Sequence, residues 1–199
     1  MRFIGRLLFG AAAILAGRLG PIELAAHEVV LNIASVTFMV PLGIASAGSV
    51  RVGQAIGRCD TAGAARSGWS ALALGTAFMA LAGLTLLLLP HPILSMFTDE
   101  VAVVGTAVPL LGVAAMFQLF DGIQVVAGGA LRGTGDTRTP MLVNLGAHWV
   151  IGLPIGFLLG FSLGHGIVGI WLGLASGLIC AGVALLYCWW RTVKLISAL

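Results

Sequence analysis

From Thr139 through Trp190 the chain carries no Asp, Glu, Lys or Arg at all. A soluble domain is about one-quarter charged, so an uncharged run of this length restricts the fold severely. The rest of the sequence points the same way: of 199 residues, 59% are hydrophobic and only 9% charged, and the mean hydropathy is +1.10. A soluble body of about 200 residues has too much surface to hide that many apolar side chains. Lipid must be the solvent for much of this surface. The predicted fold class is all-α, a polytopic membrane helix bundle of about six transmembrane helices, because helices satisfy their backbone polar groups internally.

The punctuation of the apolar runs defines six spans in one transmembrane lobe covering residues 1–199: about 3–17, 24–57, 68–89, 101–131, 140–161 and 166–190. The first is shorter than the roughly 20 residues needed to cross a bilayer. Arg2 and Arg6 ahead of its apolar run resemble a signal peptide, but Arg18 follows the run and no small-x-small cleavage site intervenes, which favours a short or truncated membrane helix. The second span would be about 50 Å long and should protrude, with Pro41 and Gly43 bending it near the middle. Pro90-His91-Pro92 ends the third. Thr98 is the expected N-cap of the fourth, and Pro140 opens the fifth. In the last span Gly169, Gly173, Gly177 and Ala181 recur every four residues, the pattern of close helix packing, and Tyr187, Trp189 and Trp190 form an aromatic belt.

Charge sets the expected orientation. Arg2, Arg6, Arg51, Arg58, Arg66, Arg132, Arg138, Arg191 and Lys194 fall on one side of a six-span topology, leaving only Arg18 for the other. That bias places both termini in the cytoplasm of a multi-pass cell-membrane protein. The net charge of +3 therefore reads as membrane orientation; no basic-aromatic surface of the nucleic-acid-binding kind is present, and no nucleic acid partner is expected. Cys59, Cys180 and Cys188 lack disulfide-framework spacing and read as small helix side chains.

Polar groups within lipid are costly, so each is a candidate site. Gln118, Asp121 and Gln124 share one broad face of the fourth span at i, i+3 and i+6. A carboxyl at Asp121 could take a proton or bind a cation, as a coupling site requires; the alternative is an aspartate bonded to a neighbouring helix. Glu28, Asn32, Ser35, Met39, Ser46 and Ser49 form a second polar or small stripe, which should look into the bundle or an aqueous cavity. Glu28 and His27, near the outer end, could instead reach interfacial water. Asn144 and His148 stand one turn apart, and a cavity-lining or hydrogen-bonded role is expected for them in preference to a metal site. No metal, no other cofactor and no enzymatic chemistry are expected, since His27, His91 and His165 are spread along the outer edge.

Two long motifs carry a family resemblance. The first is Leu24-Ala25-Ala26-His27-Glu28-Val29-Val30-Leu31-Asn32-Ile33-Ala34-Ser35, followed by Phe38-Met39-Val40-Pro41-Leu42-Gly43 and Val50-Arg51-Val52-Gly53-Gln54-Ala55-Ile56-Gly57. The second is Phe117-Gln118-Leu119-Phe120-Asp121-Gly122-Ile123-Gln124, leading to Gly129-Ala130-Leu131-Arg132-Gly133-Thr134-Gly135-Asp136-Thr137. In this order they resemble the multidrug and toxic compound extrusion (MATE) family across nearly the whole chain.

The resemblance implies the second six-helix lobe, helices seven to twelve, of a twelve-helix transporter. Such a transporter exchanges sodium ions or protons for small organic, often cationic, compounds. It implies the acidic coupling position of the tenth helix at Asp121, with Gln118 and Gln124 beside it, and a second six-helix lobe as partner across a central cavity. The glutamate that many members carry in the seventh helix has no counterpart here, where the segment reads Phe3-Ile4-Gly5-Arg6-Leu7-Leu8-Phe9. The expected function is efflux by alternating access. A non-transporting subunit or inactive half, with polar residues used for packing, is the alternative.

Overall fold

A computed structural model describes residues 2–196, and for residues 2–9 and 11 its backbone alone. The chain is a bundle of helices: α1 (Arg2–Leu19), α2 (Pro21–Gly57), α3 (Thr61–Leu88), a short α4 (Pro90–Leu94), α5 (Val101–Gly133), α6 (Arg138–Leu145), α7 (Leu153–Phe157) and α8 (Gly166–Ile196). The π-helical segments Gly146–Gly152 and Leu158–Ser162 join α6 and α7 into one rod, Arg138–Ser162. Among the described residues, five helices (α2, α3, α5, this rod and α8) are long and apolar enough to cross a membrane. The sixth, α1, has 18 residues. The side chains of the segment Phe3–Phe9, where the resemblance leads one to look for an acid, lie outside the described residues.

The helix ends follow backbone hydrogen bonding and not hydropathy. Helix α3 begins at Thr61, seven residues before the apolar run, because Asp60 caps it: Gly63 N–H donates to Asp60 Oδ1 at 2.7 Å. Thr98 is not the N-cap of α5. Glu100 holds that place, and Thr98 Oγ1 accepts from its N–H at 3.2 Å. Helix α2 opens with Pro21 in its first turn, where no amide donor is needed, and runs unbroken through Pro41.

Two loops are the same turn built twice. After α2, Cys59 N–H donates to Ile56 O and Asp60 N–H to Ala55 O, both at 2.9 Å. After α5, Gly135 N–H donates to Arg132 O (3.0 Å) and Asp136 N–H to Leu131 O (3.2 Å). Each is a Schellman closure with a left-handed residue, Cys59 at φ 57° and Gly135 at φ 92°. Each is followed by an aspartate that accepts from the amide three residues on, Gly63 for Asp60 and Thr139 for Asp136.

Helix α5 is the axis, packed between α2, α3 and α8. The α2–α5 seam is backbone against backbone: a Cβ at Gly129 would lie 2.7 Å from Ala45 O, so only glycine fits. The predicted α8 stripe is used in the same way. Gly169, Gly173, Gly177 and Ala181 are buried, the glycines against the rod at Gly160, Gly156 and Ala147. The aromatic belt is only partly as expected. Tyr187 and Trp190 are exposed with rings 5.9 Å apart, but Trp189 is fully buried over Gly68 of α3 and belongs to the core. Large apolar side chains such as Leu81, Leu88, Met116, Val150 and Val183 lie exposed around the bundle. A multi-pass membrane protein presents that surface to lipid.

Candidate functional site

Along α5, Met116 is 69% exposed and marks the outward face. Asp121, five residues later, is turned about 140° from it, toward the interior side. It is half-buried and stands about 18 Å from the Gly133 end of the helix. No other described residue gives its carboxylate a hydrogen bond or an ion pair.

Its neighbours one turn away on either side are committed to different helices. Gln118 is fully buried, and its amide donates to Thr37 Oγ1 of α2 at 2.6 Å. Thr37 in turn donates to Ala34 O at 2.8 Å, leaving its oxygen to accept. Gln124 donates its amide to Asn144 Oδ1 of α6, while Asn144 Nδ2 donates to Pro140 O at 2.7 Å. Asp121 therefore lies on the arc of α5 between a clasp to α2 and a clasp to α6. The two amides hold the helices that flank it, and no described residue engages the acid between them.

Gln118 was expected beside the cavity with Asp121; its side chain is instead sealed in the α2–α5 seam. Its partner Thr37 was not singled out from the sequence. A signal was there: Thr37 shares the buried face of α2 with Val30, Ile33 and Pro41 and lies off the Glu28 stripe.

The α2 stripe is turned out of this bundle and not into it. Glu28, Asn32, Ser35, Met39 and Ser46 are all exposed. Their polar groups are largely satisfied within the helix: Asn32 Nδ2 donates to Glu28 O (2.9 Å), Ser35 to Leu31 O (2.7 Å) and Ser46 to Leu42 O (2.9 Å). The polar faces of α2 and α5 thus do not converge within this chain. His27 does not reach water, because it is fully buried: Trp171 Nε1–H of α8 donates to its Nδ1 at 3.2 Å.

His148 is half-buried in the π-helical turn Gly146–Gly152 and donates Nδ1–H to Asn144 O at 2.9 Å. That turn was not visible in the sequence, although its cause was. Pro154 has no amide to donate one turn back, and the Leu153 N–H reaches five residues back to His148 O. Among the described residues no three His, Cys, Asp or Glu side chains converge as a metal site would need.

A bundle whose apolar surface faces outward, with its buried amides spent on interhelical clasps, defines a multi-pass helical membrane protein. The MatE family model matches residues 2–158, and the chain belongs to that family. It is 47% identical over 196 residues to a probable multidrug resistance protein NorM of Brucella suis biovar 1, covering 96% of this chain and 42% of that protein. It is 48% identical over 199 residues to the multidrug resistance protein NorM of Burkholderia vietnamiensis, covering 96% of this chain and 43% of the relative. The chain thus spans less than half the length of the curated relatives it matches. Among solved structures, the MATE transporter ClbM in complex with Rb+ shares the fold with a TM-score of 0.88 at 24% identity, covering 99% of this chain and 46% of that one. The eukaryotic MATE transporter AtDTX14 does so at 0.86 and 22% identity, covering 95% and 44%.

Proposed function

We propose that this chain is the C-terminal lobe of a cation-coupled efflux transporter in the cell membrane, with both termini cytoplasmic, and that Asp121 is its coupling group for sodium or a proton. The observation that carries the reading is the unengaged carboxylate of Asp121 on the interior side of α5, between the Gln118–Thr37 and Gln124–Asn144 clasps. An acid held in a membrane helix without a bonded partner is a costly arrangement unless a cation or proton completes it. The names of the NorM relatives, multidrug resistance proteins, support drug-like organic compounds as cargo.

Export by alternating access requires a second bundle to rock against this one. The exposed polar stripe from Glu28 through Asn32 to Ser46 is the face such a lobe would meet across a wet cavity. Glu28 and Asn32 on that face, with His148 at the rod, are the groups proposed to meet substrate. Asn144 acts through its bond to Gln124.

One observation favours a second reading, a subunit or half-protein that does not transport. Both amides of the α5 stripe are spent on holding helices together. Transport separates the two. The chain, joined to or co-produced with a six-helix partner lobe, is placed in vesicles, and efflux of a fluorescent organic cation is driven by an imposed sodium or proton gradient. Asp121→Asn should abolish gradient-driven transport while the thermal unfolding midpoint stays within a few degrees of the parent. Unchanged transport in Asp121→Asn, or a loss tracked entirely by unfolding, refutes the assignment.

A further inference from the structure

The facing ends of α2 and α3 enclose an open groove of about 720 Å³, lined by Arg51, Gln54, Arg58, Arg66, Ser67 and Ser70 among others. Three features define what it would take. The first is charge: none of the three guanidinium groups is ion-paired within the described chain. Among the described lining residues the one acid, Asp60, is already engaged in capping α3 through Gly63 N–H. Arginine forks suit phosphate oxygens, which accept two parallel N–H bonds.

The second feature is the hydroxyls. Ser35 and Ser46 of α2 and Thr85 of α3 donate back to their own helices. Ser67 and Ser70 form no such bond, and both border the groove.

The third is the apolar continuation. On α3, Ser67, Leu74, Leu81 and Leu88 recur every seven residues and so lie on one stripe. Leu74 and Leu81 are 61% and 64% exposed. On α2, Arg58, Gln54, Arg51, Ala47, Val40 and Val36 run along one flank in steps of three, four and seven, cationic at the helix end and apolar toward its middle. A basic, hydroxyl-bearing head thus opens onto two exposed apolar strips that run into the lipid-facing surface. That is the complement of a molecule with an anionic head and hydrocarbon tails.

We propose that the α2–α3 groove binds an anionic phospholipid, its headgroup phosphate held by Arg51, Arg58 and Arg66 and its acyl chains laid along Leu74 and Leu81. Basic pockets between membrane helices at a bilayer boundary recognise such headgroups.

The test uses the full chain in detergent, titrated with phosphatidylglycerol, with phosphatidylcholine and with inorganic phosphate, and reads bound lipid by native mass spectrometry. The parent should retain phosphatidylglycerol at concentrations where phosphatidylcholine is lost. The R51Q/R58Q/R66Q variant should need at least tenfold more of it. The variant R138Q/R191Q/K194Q removes the same charge elsewhere and should behave as the parent. Equal loss in both variants means diffuse charge attraction and overturns the site. So does displacement of the lipid by an equal concentration of inorganic phosphate, which would make it a simple anion site. Photoreactive phosphatidylglycerol on the unaltered chain needs no variant to fold: labelling within residues 36–88 supports the groove, and labelling confined to other segments refutes it.

Discussion

The indole Nε1–H of Trp171 donates to Nδ1 of His27 across 3.2 Å, joining α8 to α2 in the fully buried core. An indole nitrogen can only donate, so this bond fixes Nδ1 as an acceptor and places the proton of the neutral ring on Nε2. The rings meet edge to face at 5.6 Å, and Phe117 of α5 stacks on Trp171 at 6.0 Å, so three helices meet at one aromatic cluster. Trp171→Phe keeps the stack but strands Nδ1 in the core, at a cost of about 1–3 kcal/mol. A lowered thermal unfolding midpoint in detergent should show it. The same substitution in a His27→Leu background should cost clearly less, and equal costs would mean that the bond contributes nothing.

The Gln118–Thr37 clasp between α5 and α2 calls for the same treatment. Thr37→Val leaves the Gln118 amide buried without an acceptor, and should destabilise by about 1–3 kcal/mol. Gln118 Oε1 already has no partner among the described residues, so the residue tolerates little further loss. Replacing both, as Thr37→Val with Gln118→Leu, should recover most of the stability. A double-mutant cycle on unfolding midpoints measures the coupling.

Cys59 occupies a left-handed position, φ 57°, where the twin turn after α5 has Gly135. A side chain there crowds its own carbonyl, and glycine does not. Cys59 is exposed and contributes no core packing that the change would remove. Cys59→Gly should raise stability by about 1 kcal/mol, read as a higher midpoint, with no change in helix content by circular dichroism.

The second turn carries an acid-sensitive cap. Hydrogen bonding by the Thr139 side chain, and then by its backbone N–H at 2.9 Å, holds the Asp136 carboxyl below the usual carboxylate range. A carboxyl depressed by folding contributes stability that is complete above its unfolded pKa and is lost as pH falls through its folded value. Unfolding midpoints measured from about pH 6 down to about pH 3 should therefore fall less steeply in Asp136→Asn than in the parent. Thr139→Val should reproduce part of that flattening.

Much of the bundle was legible because lipid imposes one rule everywhere: a crossing segment must be apolar and helical. The uncharged run from Thr139 to Trp190 and the stripe Gly169, Gly173, Gly177, Ala181 could be read directly for that reason. Helix ends were less legible, since Asp60 begins α3 through a side-chain cap and Glu100 begins α5 through an extended backbone, neither of which hydropathy reports. The π-helical turn around His148 followed from Pro154, whose effect on the ladder one turn back is local but leaves no trace in residue periodicity.

Residue order alone is enough to put this protein in a bilayer, to pack its helices through glycine, and to set Gln118, Asp121 and Gln124 on one helix face. Which polar groups find each other was set by the packing of the helices. That packing spent Gln118 on Thr37 and Gln124 on Asn144, buried His27 against Trp171, turned the Glu28 stripe out of the bundle, and left Asp121 without a partner among the described residues. Spacing along a helix sets only the direction in which a side chain leaves its axis. Whether it meets a partner, lipid or open space depends on where the neighbouring axes stand, and contacts across the bundle fix those positions.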